Sequence, residues 1–320
     1  MYWGLLAHLG FNMWDDRPNS TKIKINPYRA KSDTLRVDRP MWDELTARMA
    51  DVGMNQLVID IGEGIRFDSH PELAAEGAWT PAEMAEEVVR LRGLGIEAIP
   101  KLNFSASHDA WLGEYAFMIS SKPYYAVCSD LITEAAAIFD KPSLFHIGMD
   151  EETLHHQEQL AQVVIRQFEL WYHDLRFYAD AAEAAGCRPW MWSDRIWHHE
   201  EEYLANTPKS IMQSNWYYGD DFEFPAGAFD EPNSHARYVR AYETLERAGF
   251  DQIPTGSNWS NDTNMGDTVT HGNAVIDSSR LKGYLTAPWY PTLTAERDRL
   301  LTAVDQVAAA MPAETAPAAG

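Results

Sequence analysis

Short hydrophobic runs alternate with longer amphipathic stretches along this chain of 320 residues. The short runs have the length and composition of buried strands, whereas the longer stretches repeat their apolar residues at helical spacing. This alternation predicts repeated βα units and a parallel sheet. The predicted strands are residues 4–9, 56–61, 97–102, 144–148, 189–193, 211–215, 253–257 and 283–287. Eight strands of this kind predict an α/β fold, a single (β/α)8 TIM barrel.

Helix signals between the predicted strands agree with this fold. Thr80, Pro81 and Glu83 supply an N-cap, a proline at the first helical position and a capping-box glutamate, and the helix that they begin ends at Gly93. Further helices are predicted near residues 40–52, 153–185 and 294–309. We therefore expect one barrel domain over residues 1–309, followed by a flexible Pro/Ala-rich tail over residues 310–320.

The chain is strongly acidic, with a formal net charge of −22 from 48 acidic and 26 basic residues. This charge would repel nucleic acid and anionic membranes, and no run approaches the ~18 apolar residues that a membrane-spanning helix needs. The apolar N-terminus has neither a basic segment nor a following small-residue cleavage site, so it does not resemble a signal peptide. We expect a cytoplasmic protein whose partner is small or neutral, and the sequence leaves a homo-oligomeric state open.

Polar and aromatic residues follow almost every predicted strand. In a (β/α)8 barrel, the carboxyl ends of the strands and the loops after them form the active-site face. Acids and tryptophans together at one rim are typical of a carbohydrate site. In chain order, the residues at this rim are Asp60, Glu63, Asn103, His108, Asp150, Glu151, Trp192, Asp194, Trp216, Tyr217, Asp220, Asn258, Trp259, Asp262, Trp289 and Tyr290.

The fourth predicted strand ends in three consecutive acids, in the stretch LFHIGMDEE at residues 144–152. Strand alternation puts His146 and Asp150 on one side, and Glu151 stands where the chain leaves the sheet. Two adjacent carboxyls in one pocket tend to split their pKa values, which leaves one as a general acid and the other ionised. Glycoside hydrolysis needs this combination. An acidic cap and first turn for the following helix would explain the same residues.

The same stretch resembles a known signature. FHIGMDEE is similar to the His-x-Gly-Gly-Asp-Glu motif of the β-N-acetylhexosaminidases of glycoside hydrolase family 20. The segment that starts at Ile65, IRFDSHPELAAEGAWTPAEMAEEVVRLRGLGIEAIPKLNFSASH, resembles the second and third βα units of that family. Trp216 and Trp289 also stand where the family has tryptophans at strand ends. The resemblance is strong over residues 60–152 and looser afterwards.

The resemblance implies a retaining, substrate-assisted mechanism, in which the 2-acetamido carbonyl of the substrate attacks the anomeric carbon. Glu151 would protonate the leaving oxygen and later activate water. Asp150 would orient the acetamido group and stabilise the oxazolinium-like intermediate, and Tyr217 could donate its hydroxyl to the carbonyl oxygen. The other residues that it implies are Trp192, Trp216 and Trp259 as pocket walls, with His108 and His146 as supports for the acids.

The predicted catalytic residues are thus Asp150 and Glu151. The predicted substrate-binding residues are Glu63, His108, His146, Trp192, Asp194, Trp216, Tyr217, Trp259 and Trp289. We expect a carbohydrate partner and neither a metal nor a cofactor. The adjacent histidines at residues 155–156 and 198–199 do not suggest a metal site, because neighbouring side chains on a helix point about 100° apart.

This sequence departs from the family pattern at three places. The first predicted strand has no arginine where the family uses one to hold sugar hydroxyls, and His8 or Asn12 occupies that neighbourhood. Met149 replaces the second glycine of the motif, and Trp289 is followed by Tyr290 and a proline. The catalytic pair is thus kept while the residues that would recognise the sugar differ. We expect a terminal N-acetylhexosamine or a related sugar as substrate, and one other than an ordinary terminal N-acetylglucosamine is compatible with these departures.

Two other functions remain compatible with the sequence. The first is a glycosidase for sugars without the 2-acetamido group, with a carboxylate such as Asp194 or Glu63 as nucleophile. The second is a sugar-binding barrel without catalytic activity.

Overall fold

Eight parallel strands form one sheet in the computed structural model, which describes residues 1–12, 15–17, 26–225, 227–228 and 234–312. Each strand is short and largely buried on both faces, as expected for the sheet of an α/β protein. The strands are Tyr2–His8 (β1), Gln56–Asp60 (β2), Glu97–Lys101 (β3), Leu144–His146 (β4), Arg188–Trp192 (β5), Met212–Ser214 (β6), Thr255–Gly256 (β7) and Gly283–Thr286 (β8).

The sheet is nearly closed into a barrel. Hydrogen bonds join the strands in the order β6, β5, β4, β3, β2, β1, β8 and β7. Parallel bridges from Gln213 to Gln252 and from Trp216 to Thr255 bring the two edges together. The predicted (β/α)8 barrel is therefore confirmed, and the carboxyl ends of all eight strands open onto one face.

Helices lie between the strands and cover the outside of the barrel. The described helices are Arg39–Asp51 (α1), Pro81–Gly93 (α2), Lys122–Ile138 (α3), Leu154–Gln157 (α4), Glu169–Ala184 (α5), Glu200–Asn206 (α6), His235–Arg247 (α7), Asn264–Val275 (α8) and Arg297–Ala310 (α9). The predicted capping box of α2 is confirmed, because Thr80 and Glu83 exchange side-chain and backbone hydrogen bonds. None of the described helices is both long and apolar enough to cross a membrane.

The single helix predicted over residues 153–185 is wrong. The structure has the one-turn helix α4 and the longer helix α5, with an irregular segment between them. Side chains hold this segment out of a helix: Gln157 exchanges two hydrogen bonds of 2.7 Å with the backbone of Val164, and Glu152 accepts from the backbone of Arg166 at 2.7 Å. These bonds satisfy backbone groups that a continuous helix would otherwise pair.

Arg166 explains why the last of the three acids is not a helix cap. Its guanidinium is fully buried and binds the carboxylates of Glu152 and Asp174, while Thr153 caps α4. A buried charge is stable only with such partners, so the Glu152 carboxylate is committed to Arg166 rather than to solvent.

A cluster of buried strand side chains fills the barrel interior and includes Leu6, Val58, Ile99, Trp190 and Leu285. A larger apolar layer lies between the strands and the helices. This packing fixes the strand ends that carry the site. Of the predicted flexible tail, residues 313–320 lie outside the described part of the chain, so that prediction stays untested.

Candidate active site

A cavity of about 260 Å³ opens at the carboxyl end of the barrel. Its wall combines acids, histidines and aromatic rings that come from loops distant in the sequence. The lining residues are Arg29, Asn103, His108, Asp150, Glu151, His155, His156, Trp216, Tyr218, Trp259 and Trp289. Among the described residues, Asp150 and Glu151 are the only carboxylates in this wall.

The backbone after β4 places both acids. Gly148, Met149 and Glu151 all have positive φ, at 72°, 80° and 57°. At Gly148, an added Cβ would lie 2.0 Å from Asn103 Oδ1, so only glycine allows this close approach. The approach lets Asn103 Nδ2 donate to Asp150 Oδ1 at 2.8 Å, which fixes the orientation of that carboxylate.

Met149 adopts a left-handed backbone, which a glycine would adopt without strain. Its side chain is 1% exposed and packs in the layer between strands and helices. The departure from the motif therefore places a buried side chain at a position whose backbone conformation favours glycine.

Two imidazoles flank Glu151. His108 Nε2 lies 3.2 Å from Asp150 Oδ2 and 3.3 Å from Glu151 Oε2. His156 Nε2 lies 3.2 Å from the other oxygen, Glu151 Oε1, and the Thr153 hydroxyl holds its Nδ1 at 2.8 Å. Both carboxylate oxygens of Glu151 thus face a nitrogen that can carry a proton.

The contacts among His108, Asp150 and Glu151 shift the pKa values of all three side chains. Burial alone would lower the pKa of His108, but the two neighbouring carboxylates outweigh burial and raise its pKa well above the usual value. Burial opposes ionisation of Glu151 and Asp150, yet His108 outweighs it in both cases, with help from His156 at Glu151, so that both pKa values are lowered. At neutral pH the exchangeable proton of the cluster therefore resides on His108.

The same cluster is the one place in the described chain where three potential metal ligands converge. One ligand atom each from His108, Asp150 and Glu151 lies within 4.8 Å of the others. The imidazole and carboxylate atoms that would bind an ion are the atoms that already pair with one another, so the cluster is also satisfied without one.

Aromatic rings form much of the remaining wall. Trp216, Trp259 and Trp289 line the cavity as predicted from the sequence, and Trp259 is the most exposed of them at 36%. Tyr218 stacks on Trp216 with ring centroids 4.9 Å apart, and its oxygen accepts from Trp289 Nε1 at 3.0 Å. The hydroxyl proton of Tyr218 is then directed away from Trp289.

Tyr217, which the sequence analysis placed in the site, lies outside this wall. Its hydroxyl is 3.4 Å from His235 Nδ1 and its ring packs against Phe222. Alternate residues of an extended chain face the same side, so Trp216 brings Tyr218 with it and turns Tyr217 away. The tyrosine of the cavity is therefore one residue beyond the predicted one.

Trp192 and His146 lie beneath the cavity rather than in its wall. Trp192 is buried, with ring centroids 4.4 Å from His146 and 5.9 Å from Trp289. His146 Nδ1 accepts from the backbone of Gly148 at 3.1 Å, and burial lowers the pKa of His146, so the ring is neutral. Both residues support the floor and the turn that carries the acids.

Glu63 and Asp194 are also outside the wall of this cavity. Glu63 Oε1 accepts from the backbone of Phe11 at 2.6 Å and of Asn12 at 2.9 Å, which ties down the loop after β1. Asp194 Oδ2 accepts from the backbone of Glu151 at 2.8 Å and lies on the other side of that residue. Burial is the main cause that raises the pKa of Glu63 to about 7 and that of Asp194 to about 8.

The structure adds an arginine that the sequence analysis did not find. Arg29 ends the short 3-10 turn Pro27–Arg29 and reaches the cavity wall, with its guanidinium 3.8 Å from Asp15 Oδ1. His8, which stands in the first strand, is buried against Phe11 and Trp289 instead. The cavity thus has a guanidinium, although Arg29 lies far along the sequence from the end of the nearest preceding strand, β1.

Solved structures share this fold. The chain aligns with a β-N-acetylhexosaminidase of glycoside hydrolase family 20 from Streptomyces coelicolor A3(2), with a TM-score of 0.64 and 14% identity over 98% of this chain and 65% of that one. An exo-β-N-acetylglucosaminidase from Vibrio harveyi, solved with N-acetylglucosamine, gives a TM-score of 0.62 and 14% identity over 96% and 54%. A mutant β-hexosaminidase of Streptomyces plicatus, solved with its product GlcNAc, gives 0.61 and 14% over 95% and 63%. The fold is that of family 20 glycoside hydrolases.

The chain spans between about half and two thirds of the length of these three proteins. No protein-family profile matches the sequence, and no curated protein is significantly similar to it. The likeness therefore concerns the fold, and any activity has to be argued from the residues of the cavity.

Proposed function

We propose that this protein is a retaining glycoside hydrolase that removes a terminal N-acetylhexosamine, or a closely related sugar, with the substrate's own acetamido group as nucleophile. One observation carries the proposal: Asp150 and Glu151 face a cavity with aromatic walls, in which the described residues supply no further carboxylate. The cavity volume of about 260 Å³ is suited to a single sugar residue. The family 20 fold supports the same reaction class.

Glu151 acts as general acid and then as general base. Its Oε2 lies 3.3 Å from His108 Nε2, so a proton held on His108 can pass to Glu151 as the glycosidic oxygen takes up charge. The bond between that oxygen and the anomeric carbon breaks while the acetamido oxygen bonds to the same carbon. In the second half of the reaction, Glu151 removes a proton from the water that opens the oxazolinium-like intermediate.

Asp150 and Tyr218 orient the acetamido group. Asn103 fixes Asp150 Oδ1, and the lowered pKa keeps this carboxylate ionised, so it can accept from the acetamido N–H and stabilise the positive charge of the intermediate. Burial raises the pKa of Tyr218 well above its usual value, so the phenol keeps its proton. Because its oxygen already accepts from Trp289, this proton is available to the acetamido carbonyl.

Glu151→Gln tests the assignment. On a methyl N-acetylhexosaminide, whose leaving group needs protonation, kcat should fall by about 10²–10⁴-fold, the usual contribution of general acid catalysis. On a dinitrophenyl glycoside of the same sugar, which leaves without a proton, the loss should be much smaller. Glu86→Gln, at an exposed position of α2, is the matched control and should leave both rates unchanged.

Wild-type turnover of glycosides that differ at C2 tests the nucleophile. Substrate assistance requires hydrolysis of the 2-acetamido sugar and little or none of the matching 2-hydroxy sugar. If Glu151→Gln hydrolysed the methyl glycoside at the wild-type rate, or if the wild type preferred the 2-hydroxy sugar, the proposal would have to be given up.

A further inference from the structure

His108 and the two proposed catalytic carboxylates have the composition and the spacing of a transition-metal site. His108 Nε2 lies 3.2 Å from Asp150 Oδ2 and 3.3 Å from Glu151 Oε2. One ligand atom from each of the three residues lies within 4.8 Å of the other two. In a tetrahedral zinc site with bonds of ~2.0–2.2 Å, neighbouring ligand atoms are ~3.3–3.6 Å apart. Both imidazole–carboxylate distances are close to this spacing, so an ion fits among the three atoms after small shifts of the side chains.

Each carboxylate is also held by a second residue, at the oxygen that does not face His108. Asn103 Nδ2 donates to Asp150 Oδ1 at 2.8 Å, which leaves Asp150 Oδ2 directed towards the imidazole. His156 Nε2 lies 3.2 Å from Glu151 Oε1, which leaves Glu151 Oε2 directed towards the same imidazole. Supporting residues of this kind orient the ligands of metal sites and contribute to their affinity.

The surroundings of the cluster favour a divalent cation. All three side chains line the cavity of about 260 Å³, so a bound ion has room for water or a sugar hydroxyl as a further ligand. Two carboxylates balance the charge of a divalent ion, and the formal net charge of −22 attracts cations to the protein. One imidazole nitrogen with two carboxylate oxygens suits Zn²⁺, whereas Mg²⁺ and Ca²⁺ prefer ligand sets made of oxygen alone.

We propose that this cluster binds Zn²⁺ reversibly and that the bound ion inhibits the enzyme. The ion takes the place of the proton on His108 Nε2, because both bind the same nitrogen. Zn²⁺ on Glu151 Oε2 and Asp150 Oδ2 blocks the oxygen that exchanges a proton with the glycosidic oxygen and neutralises the carboxylate that stabilises the intermediate. Because the three side chains also satisfy one another without an ion, Zn²⁺ acts here as an inhibitor rather than as a cofactor. The metal site follows from the geometry, whereas the inhibition rests on the proposed function.

Calorimetric titration with Zn²⁺ tests the site without an activity assay. The protein is used without an affinity tag and after dialysis against a chelator. The wild type should bind one ion per chain at its tightest site. Glu151→Gln keeps the shape of the side chain but removes a charged ligand, so it should bind Zn²⁺ more than about 100-fold more weakly, beyond the usual cost of losing a supporting residue. His108→Gln should show the same loss, so the result does not depend on the folding of a single variant.

His70 provides a matched control outside the cavity. Its Nδ1 lies 3.2 Å from Glu72 Oε1 and its Nε2 lies 3.2 Å from Asp130 Oδ2, so the two acids face different nitrogens of the ring and do not converge on one ion. His70→Gln should keep the wild-type affinity for Zn²⁺. In rate assays on the methyl N-acetylhexosaminide, concentrations of Zn²⁺ that saturate the calorimetric site should inhibit both the wild type and His70→Gln. The same concentrations of Mg²⁺ should have no effect.

The outcomes separate the metal site from the proposed function. No Zn²⁺ binding by the wild type, or binding that is unchanged in both Glu151→Gln and His108→Gln, would overturn the site. Binding of one ion at this site without inhibition of the wild type would overturn the inhibitory role. If the wild type cleaved neither the methyl glycoside nor the dinitrophenyl glycoside, the proposed function would fail, while loss of the calorimetric site in the two variants would still support the metal site.

Discussion

Glu63→Gln should make the protein more stable at neutral pH. Glu63 is 5% exposed, and its Oε1 accepts from two backbone amides of the loop after β1. Burial raises its pKa from 4.5 to about 7, against the opposing effect of these amides. Glutamine keeps an oxygen for the amides but carries no charge to desolvate.

The magnitude follows from the interval between the two pKa values. Between pH 4.5 and about 7, the folded protein keeps a proton at Glu63 that the unfolded chain has released. The free energy of unfolding of the wild type therefore falls as the pH rises through this interval, by about 1.4 kcal/mol for each pH unit and about 3 kcal/mol in all. The glutamine variant does not titrate at this position, so its free energy of unfolding does not show this fall. The two proteins should be similarly stable at pH 4 and differ by about 3 kcal/mol at pH 8.

Denaturant unfolding of both proteins at several pH values measures this difference. Other titrating groups contribute equally to both proteins and cancel in the comparison. Glu86→Gln, at an exposed helix position, provides the control and should give a difference that does not change with pH. A constant difference for Glu63→Gln, or an advantage confined to acidic pH, would refute the reasoning.

Three further substitutions test the cavity. His156→Gln removes one of the two imidazoles that outweigh burial at Glu151, so the pKa of that carboxyl should rise. The acidic limb of kcat, where Glu151 must be ionised to act as general base, should then move up by about one pH unit; a shift of this limb to lower pH would contradict the reasoning. Tyr218→Phe should lower kcat/KM by about 10²-fold, the usual loss for one donor to a developing oxyanion, whereas Tyr217→Phe should stay near wild type in the same assay. Gly148→Ala should lower the free energy of unfolding by about 2–4 kcal/mol in denaturant titrations, because its φ of 72° disfavours alanine and its Cβ would meet an asparagine oxygen; unchanged stability would contradict the described turn.

The barrel and the position of its acids were predictable because they depend on local patterns. Strand-length apolar runs separated by helical ones specify βα units, and the end of each run marks the rim of the sheet. Asp150 and Glu151 directly follow such a run, so the position of the run alone put them at the carboxyl face. The capping box at Thr80 was equally local and was recovered in full.

The residues that the sequence analysis missed reach the cavity through long-range contacts. Arg29 lies in a loop that joins the structure through a bridge between Asp15 and Ala30, and no periodicity marks such a loop. His156 lies in the one-turn helix α4, and the predicted long helix gave no sign that this turn brings it to Glu151. The chain leaves the helix after one turn because Gln157 bonds to the backbone of Val164 and because Arg166 pairs with Glu152 and Asp174.

Met149 shows how the fold accommodates the departure from the family motif. Its left-handed backbone costs a non-glycine residue roughly 1–2 kcal/mol, whereas burying a methionine side chain gains about 1.5–3 kcal/mol. The two contributions are of similar size, so the turn that places the acids can keep its shape with methionine in place of glycine. A side chain at this position is therefore compatible with the turn that carries Asp150 and Glu151, and the departure from the motif does not by itself argue against the proposed function.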